Sequence, residues 1–70
     1  MELIPVESSH IVAIGYDSDN ARLEIEFKGG TAYEYYDVPQ SVYDCLMASD
    51  SKGGFCHQNI YKGYKQSRIR

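Results

Sequence analysis

The sequence has no tryptophan, only two prolines and only two cysteines. Two cysteines are too few for the disulfide frameworks of small secreted domains, so we expect Cys45 and Cys56 to be reduced thiols. No apolar run approaches the roughly 20 residues that a membrane-spanning helix needs. The first residues also lack the basic start and the long apolar stretch of a signal peptide. These absences predict a cytoplasmic protein that does not contact a membrane.

Acidic side chains are missing from residues 51–70. All ten Asp and Glu residues lie in residues 1–50, together with only two basic residues, which gives that part a formal charge of −8; the five basic residues of 51–70 give +5. A basic end on an acidic body could bind an anionic partner, or it could attract the acidic body of its own chain or of a second copy.

The chain has room for a single hydrophobic core. Domains usually comprise about 100 to 150 residues, so these 70 residues form one domain. A chain this short buries only roughly 60% of the surface that its unfolded form exposes. Such a thin core favours weak self-association as a further source of stability.

Three segments have the alternating apolar pattern of β-strands. Residues 8–16 are apolar on both faces, with Val12, Ile14 and Tyr16 on one side and Ile11 and Ala13 on the other. Residues 22–27 direct Leu23, Ile25 and Phe27 toward the core. Gly29-Gly30 then permits a tight hairpin into a third strand over residues 31–37. The order predicts an antiparallel β-meander.

Helical spacing replaces this alternation after Pro39, and it predicts a helix over about residues 39–48. The inward positions of this helix are Val42, Cys45, Leu46 and Ser49. Gly53-Gly54 is expected to interrupt the helical conformation. A second short helix is predicted over residues 55–61, with Phe55 and Ile60 near one face. The predicted fold is therefore α+β: a three-stranded antiparallel β-meander packed against one or two short C-terminal helices.

The expected layout is one domain over residues 1–70. Its parts are an N-terminal arm (1–7), the β-meander (8–37), a helical part (38–61) and a basic tail (62–70).

A series of short motifs runs through this layout: Val6-Glu7-Ser8-Ser9-His10-Ile11, Ile14-Gly15-Tyr16-Asp17, Leu23-Glu24-Ile25-Glu26-Phe27, Gly30, Tyr33-Glu34-Tyr35, Val38-Pro39, Val42-Tyr43, Ser51-Lys52-Gly53 and Ile60. In this order and spacing they resemble the KTSC domain, a small module named for the C-terminus of some lysyl-tRNA synthetases and also found as a stand-alone bacterial protein. The resemblance covers essentially the whole chain. It implies a family without an established function, for which the attachment to a synthetase suggests RNA as a partner. Cys56 and His57 depart from the family pattern, in which a second aromatic residue and an asparagine are expected.

Tyr33 and Tyr35 are two residues apart on a strand, so their rings leave the same face of the sheet about 7 Å apart. Bases could stack on rings at this spacing. The alternative is that this face lies under the helices and that both tyrosines pack in the core. An outward Glu34 between them favours the core alternative.

The basic tail interleaves tyrosines with positive charges, a combination typical of single-strand nucleic-acid binders. The residues are Tyr61, Lys62, Tyr64, Lys65, Arg68 and Arg70, and Lys52 could join them. The alternative is a solvated end that keeps the domain soluble.

Ser51, Lys52 and Gly53 form a candidate anion site, because backbone N–H groups at a helix start and a lysine suit phosphate. Ser51 could equally be a helix N-cap. We expect no metal, because the ligand spacing of structural zinc sites is missing. We also expect no cofactor and no catalysis, because adjacent Cys56 and His57 point apart on a helix and no Asp or Asn is placed to orient the histidine.

Two functions remain open. The first is a non-catalytic module that binds RNA, such as tRNA, through the basic tail, with Tyr33 and Tyr35 as further stacking rings if they are exposed. The second is a protein-interaction module, which associates with itself or with another protein through an open sheet edge and complementary charges.

Overall fold

Backbone pairing builds one five-stranded antiparallel sheet. In a computed structural model that describes residues 2–70, the strands are β1 (Leu3–Pro5), β2 (Ile11–Asp17), β3 (Arg22–Phe27), β4 (Ala32–Tyr35) and β5 (Gln66–Arg68), which lie side by side in that order. Two helices, α1 (Gln40–Ala48) and α2 (Lys52–Asn59), connect β4 to β5. The predicted α+β class is confirmed, but the predicted three-stranded sheet is too small.

The two additional strands are the edges of the sheet. In β1, Ile4 is the partner of Ile14 on β2, and in β5, Ser67 is the partner of Glu34 on β4. Each edge strand is three residues long. Backbone hydrogen bonds hold such short strands in place, and any residue type except proline supplies both the donor and the acceptor.

The register divides the sheet into two unlike faces. Residues opposite one another on neighbouring antiparallel strands share a face. One face carries the partners Ile14, Ile25 and Tyr33, and also Tyr16, Leu23 and Tyr35. The other face carries Gly15, Glu24, Glu34 and Ser67. We call these the helix face and the acidic face.

The hydrophobic core lies between the helix face and the two helices. Leu46 of α1, Cys56 of α2 and Ile60 pack with the buried strand residues. The strand and loop residues of this cluster are Ile11, Ile14, Leu23, Ile25, Tyr35 and Val38. Among residues 2–70, no helix is long and apolar enough to cross a membrane.

A β-bulge alters the predicted alternation of β2. Ile11 pairs with Phe27 and Ala13 pairs with Glu26, so that the register shifts between Ile11 and Ala13. The extra residue, Val12, is 39% exposed, whereas Ile11 joins Ile14 in the core. The prediction that Val12 shares a face with Ile14 is therefore wrong, because a bulge moves every residue before it to the other face.

The helices start close to polar or proline residues. Helix α1 begins after Pro39, and Leu46 is its buried residue, whereas Cys45 is exposed instead of facing inward. Helix α2 begins at Lys52, three residues earlier than predicted. The Gly53-Gly54 pair does not interrupt the helix but lies in its first turn. The Ser51 hydroxyl accepts a hydrogen bond of 3.3 Å from the Gly54 N–H and thereby caps this turn.

Candidate functional site

Aromatic rings gather on the helix face where β4 and β5 meet the end of α2. The Tyr33 and Tyr35 rings are near parallel, with centroids 6.4 Å apart, and Tyr35 and Tyr61 have the same relationship at 6.1 Å. Phe27 lies edge-on to Tyr33 at 6.2 Å and tilted against Tyr61 at 6.1 Å. Rings at these separations attract one another through offset and edge-to-face geometry.

These rings form a groove of about 240 Å³, which we call the aromatic groove. Its lining residues are Phe27, Tyr33, Tyr35, Tyr61 and Gln66. Tyr35 is 2% exposed and forms the floor, whereas Phe27, Tyr33 and Tyr61 are half-buried and Gln66 is exposed. The groove therefore has aromatic walls and one polar, solvent-facing side chain.

The two tyrosines of β4 consequently have different roles. The ring of Tyr35 is buried in the core and offers no face to a partner, in line with the packing alternative. Tyr33 keeps part of its ring in solvent. Burial raises the pKa of both Tyr35 and Tyr61 above the usual value of 10.0, so their hydroxyls stay neutral further into the alkaline range than those of exposed tyrosines.

Pairing of β5 distributes the basic tail over both faces of the sheet. Gln66 and Arg68 are the partners of Tyr35 and Tyr33, so they lie on the helix face beside the aromatic groove. Lys65 precedes Gln66, and strand alternation puts it on the side of Ser67. Lys62 and Tyr64 lie in the turn before β5; Tyr64 is half-buried, whereas Lys62 is exposed.

Arg70 is engaged within the domain. Its guanidinium lies 3.1 Å from the carboxylate of Glu24 and 3.7 Å from that of Glu26, on the acidic face. By contrast, Lys62, Lys65 and Arg68 make no ion pair with any residue in 2–70. The Nε of Arg68 donates a hydrogen bond of 2.8 Å to the Arg70 carbonyl, so its two terminal NH2 groups are what Arg68 can offer to an anion.

A second cleft, of about 260 Å³, lies where the segment before β2 meets the start of α2. Its lining is Glu7, Ser8, Ser9, His10, Asp50, Ser51, Lys52, Gly53 and Gly54. The Lys52 ammonium donates to the Ser49 carbonyl at 3.0 Å, and the carboxylates of Glu7 and Asp50 border the cleft. The predicted residues Ser51, Lys52 and Gly53 are brought together here, but one N–H of the Lys52 ammonium is already hydrogen-bonded and two acids oppose an anion.

The remaining chemistry-bearing residues are dispersed. Cys56 is buried, and burial raises the pKa of its thiol to about 11, while the exposed His57 lies edge-on to the Tyr61 ring. Within residues 2–70, no three His, Cys, Asp or Glu side chains converge as metal ligands would.

Comparison with known proteins identifies the family. The family model of the KTSC domain matches residues 7–64. The chain belongs to the KTSC domain family. A crystal structure of a KTSC domain protein from Yersinia pestis superposes with a TM-score of 0.93 at 38% identity and covers 99% of this chain and 97% of that one.

Sequence relatives of this KTSC domain include both small proteins and a synthetase. A protein of Tsukamurella paurometabola is 51% identical over 51 residues, which are 73% of this chain and 76% of the relative. A lysine–tRNA ligase of Nostoc punctiforme is 41% identical over 67 residues, which are 96% of this chain but 12% of the ligase. The resemblance to the ligase thus concerns a small part of that enzyme.

Sequence reasoning missed two residues of the aromatic groove. Phe27 was assigned to the core and Gln66 to the tail, because neither has a local pattern that marks a binding surface. The pairing of β5 with β4 is what brings Gln66 to Tyr35 and thus into the groove.

Proposed function

We propose that this KTSC domain is a non-catalytic module that binds RNA through the exposed basic side chains beside the aromatic groove. The observation that carries the proposal is the placement of two exposed basic side chains next to half-buried rings: Lys62 follows Tyr61 in the chain, and Arg68 is the cross-strand partner of Tyr33. Neither makes an ion pair within residues 2–70. Positive charge and aromatic rings are the two elements with which single-stranded nucleic acids are bound. The lysine–tRNA ligase relatives support RNA as the partner class.

The distribution of acidic charge is compatible with this surface despite the net charge of −3. Glu24, Glu26 and Glu34 lie on the acidic face, whereas Arg68 lies on the helix face. Arg22 and Arg70 also lie within ion-pair distance of these carboxylates. These three carboxylates therefore lie on the opposite face of the sheet from a phosphate bound at Arg68.

The proposal is tested with fluorescein-labelled tRNA and a labelled unstructured oligoribonucleotide, titrated with the full chain in a salt series from about 50 to 200 mM. We expect affinity to fall steeply with salt. Replacing Lys62 and Arg68 by Ser should weaken binding. It should also reduce the salt slope by about 0.7 for each phosphate of a single strand that these side chains neutralise.

The matched control replaces Arg22 and Lys28 by Ser. This double variant removes the same number of positive charges, but Arg22 lies on the acidic face and Lys28 in the β3–β4 hairpin. Its affinity should stay close to that of the parent. Absence of binding at the lowest salt, or an equal loss of affinity in both double variants, would contradict the proposal.

Protein interaction is the second candidate, and exposed apolar side chains at the two sheet edges favour it. Ile4 on β1 is 44% exposed and Ile69, just after β5, is 41% exposed. An edge strand with unpaired backbone groups can pair with another chain. Light scattering over a concentration series tests self-association: a mass that rises and is lowered by I4S supports this candidate, and a constant monomer mass counts against it.

A further inference from the structure

We propose that the aromatic groove binds one unpaired nucleobase, with Arg68 holding the attached phosphate. This inference rests on the proposed RNA-binding function and specifies which part of the RNA is bound and by which residues. Three properties of the aromatic groove carry it: its size, the chemistry of its walls and the charge beside it.

The size of the aromatic groove fits one flat ring system. Its volume of about 240 Å³ is several times the roughly 30 Å³ that a water molecule occupies in the liquid. It is also smaller than the roughly 300 to 1,000 Å³ of pockets that enclose drug-sized ligands. Because of this volume, we assign one base to the aromatic groove and not a stack of bases.

The walls of the aromatic groove favour a π-system. Tyr33 and Tyr61 flank Tyr35, and all three rings are within 30° of parallel in successive pairs. A base in the aromatic groove would contact the half-buried rings of Tyr33 and Tyr61 above the buried Tyr35, and stacking on aromatic side chains accepts any base. Tyr33 and Tyr61 are held in position by the core, because both pack against the buried cluster, so little conformational entropy is lost on binding.

The polar end of the aromatic groove adds hydrogen bonds and charge. Gln66 presents an amide that donates and accepts, which matches the edge of a base. Arg68 lies two residues further on the same face of β5, about 7 Å along the strand. Gln66 lies beside Tyr35 and Arg68 lies beside Tyr33, so the amide and the guanidinium both border the rings that would hold the base. The Arg68 Nε donates to the Arg70 carbonyl at 2.8 Å, which leaves the terminal NH2 groups for the phosphate. An apolar peptide side chain would fill the aromatic groove but would make no hydrogen bond with the Gln66 amide and no ion pair with Arg68.

The first measurement uses the full chain labelled with ¹⁵N and each of the four ribonucleoside 5′-monophosphates as the probe. We expect chemical-shift changes of the backbone amides of residues 33, 61, 66 and 68, and none in the second cleft, which Ser8 lines. Inorganic phosphate serves as the control ligand. If phosphate alone produces the same shifts, charge and not the base is recognised, and the inference is wrong.

The second measurement is the affinity of the unstructured oligoribonucleotide for variants of the aromatic groove. Tyr33→Leu should weaken binding by about 5- to 150-fold, because stacking on a ring contributes that much per base. Tyr33→Phe should retain most of the affinity. Gln66→Ala should also weaken binding. Gln66 is exposed and its replacement leaves the core intact, so this loss of affinity does not depend on any folding defect in the Tyr33 variant.

Tyr36→Leu is the matched control, because Tyr36 is also half-buried and lies three residues after Tyr33. Its ring is on the acidic face, where the Arg22 guanidinium carbon lies 5.6 Å from the ring centroid. Its affinity for the oligoribonucleotide should equal that of the parent. An equal loss for Tyr33→Leu and Tyr36→Leu would overturn the assignment.

The outcomes separate this inference from the proposed function. If RNA binding depends on Lys62 and Arg68 but is unchanged by Tyr33→Leu and Gln66→Ala, the RNA-binding module stands and the base site is wrong. If the monophosphates bind in the aromatic groove but no RNA binds, the base site stands and the RNA function is wrong. If neither ligand binds, both are wrong.

Discussion

Glu24 and Glu34 are direct cross-strand partners on β3 and β4, and both side chains lie on the acidic face of the sheet. Like charges in this relationship repel and destabilise a sheet. Two arginines offset the repulsion: Arg70 lies 3.1 Å from Glu24, and Arg22 lies 3.9 Å from Glu34. The end of the described chain is thereby tied to the middle of the sheet.

This relationship predicts that Arg70→Ala lowers the free energy of unfolding by about 0.2 to 1 kcal/mol, the range of an exposed ion pair. The loss should shrink in 1 M salt, where the Debye length is about 3 Å. Urea denaturation at low and high salt measures both effects. Lys65→Ala is the control, because Lys65 is exposed and makes no ion pair within residues 2–70. Equal losses for the two variants, or a loss independent of salt, would contradict the role assigned to Arg70.

The central part of the fold could be predicted from the sequence because its signals are local. Leu23 and Ile25 alternate with charged residues and are fully buried, and the helix predicted over residues 39–48 is observed as Gln40–Ala48. The edge strands β1 and β5 could not be predicted, because three mostly exposed residues show no periodicity. Their pairing comes from backbone groups, which the sequence does not distinguish.

The candidate site was predictable only in part for the same reason. Tyr33 and Tyr61 were recognised from residue type and local spacing. Gln66 had no local signal, and it enters the aromatic groove because β5 pairs with β4. The tail charges could be counted in advance, and pairing of β5 with β4 puts Arg68 on the helix face. Strand alternation would put Arg70 on the same face, but β5 ends at Arg68 and the N–H groups of residues 69 and 70 both bond to the Ala32 carbonyl. Arg70 instead reaches Glu24 on the acidic face, which local spacing does not predict.

The Tyr16 hydroxyl links β2 to the loop before α1, because it donates a hydrogen bond to the Val38 carbonyl. Tyr16→Phe should lower the free energy of unfolding by about 0.5 to 1.5 kcal/mol, the usual net contribution of such a bond. The ring should stay in place, since it stacks on Tyr43 at 4.7 Å.

Urea denaturation of Tyr16→Phe is compared with Tyr36→Phe, whose hydroxyl makes no hydrogen bond within residues 2–70. The second variant should be neutral. A destabilised Tyr36→Phe together with an unchanged Tyr16→Phe would show that the Val38 bond contributes nothing.

The two glycines at the start of α2 should respond differently to alanine. A Cβ at Gly53 would lie 3.6 Å from the Ser8 hydroxyl, an ordinary contact, whereas a Cβ at Gly54 would lie 2.8 Å from the Ser51 hydroxyl that caps the helix. Gly53→Ala should stabilise the domain by about 0.5 to 1 kcal/mol, because alanine favours a helix.

Gly54→Ala gains the same helix propensity but must displace the cap, which contributes about 1 kcal/mol. We therefore expect no net gain in its thermal midpoint, in contrast to Gly53→Ala. Ser51→Ala is the reference for loss of the cap. Equal stabilisation by both alanines would mean that Ser51 does not cap α2 in solution.

The two thiols should differ in reactivity, because Cys45 is exposed and Cys56 is buried. A thiol reagent such as DTNB at pH 8 should label Cys45 in the folded protein and reach Cys56 only after unfolding in urea. Mass spectrometry of the digested protein assigns the label. Rapid labelling of Cys56 in native Cys45→Ser would contradict the burial of the α2 thiol.

Cys56 also predicts how stability depends on alkaline pH. Burial raises the pKa of its thiol from 9.0 to about 11, so the unfolded chain loses this proton at a lower pH than the folded protein does. The stabilisation is fully present below pH 9 and is lost as the pH rises toward 11. Burial also raises the pKa of Tyr35 and Tyr61, which adds to the loss of stability at higher pH.

Urea denaturation in reducing buffer between pH 7 and pH 10.5 should give a free energy of unfolding that falls above pH 9. Cys45→Ala should follow the parent curve, whereas Cys56→Ala should start less stable but fall less steeply. Parallel curves for the parent and Cys56→Ala would show that the buried thiol does not control this pH dependence.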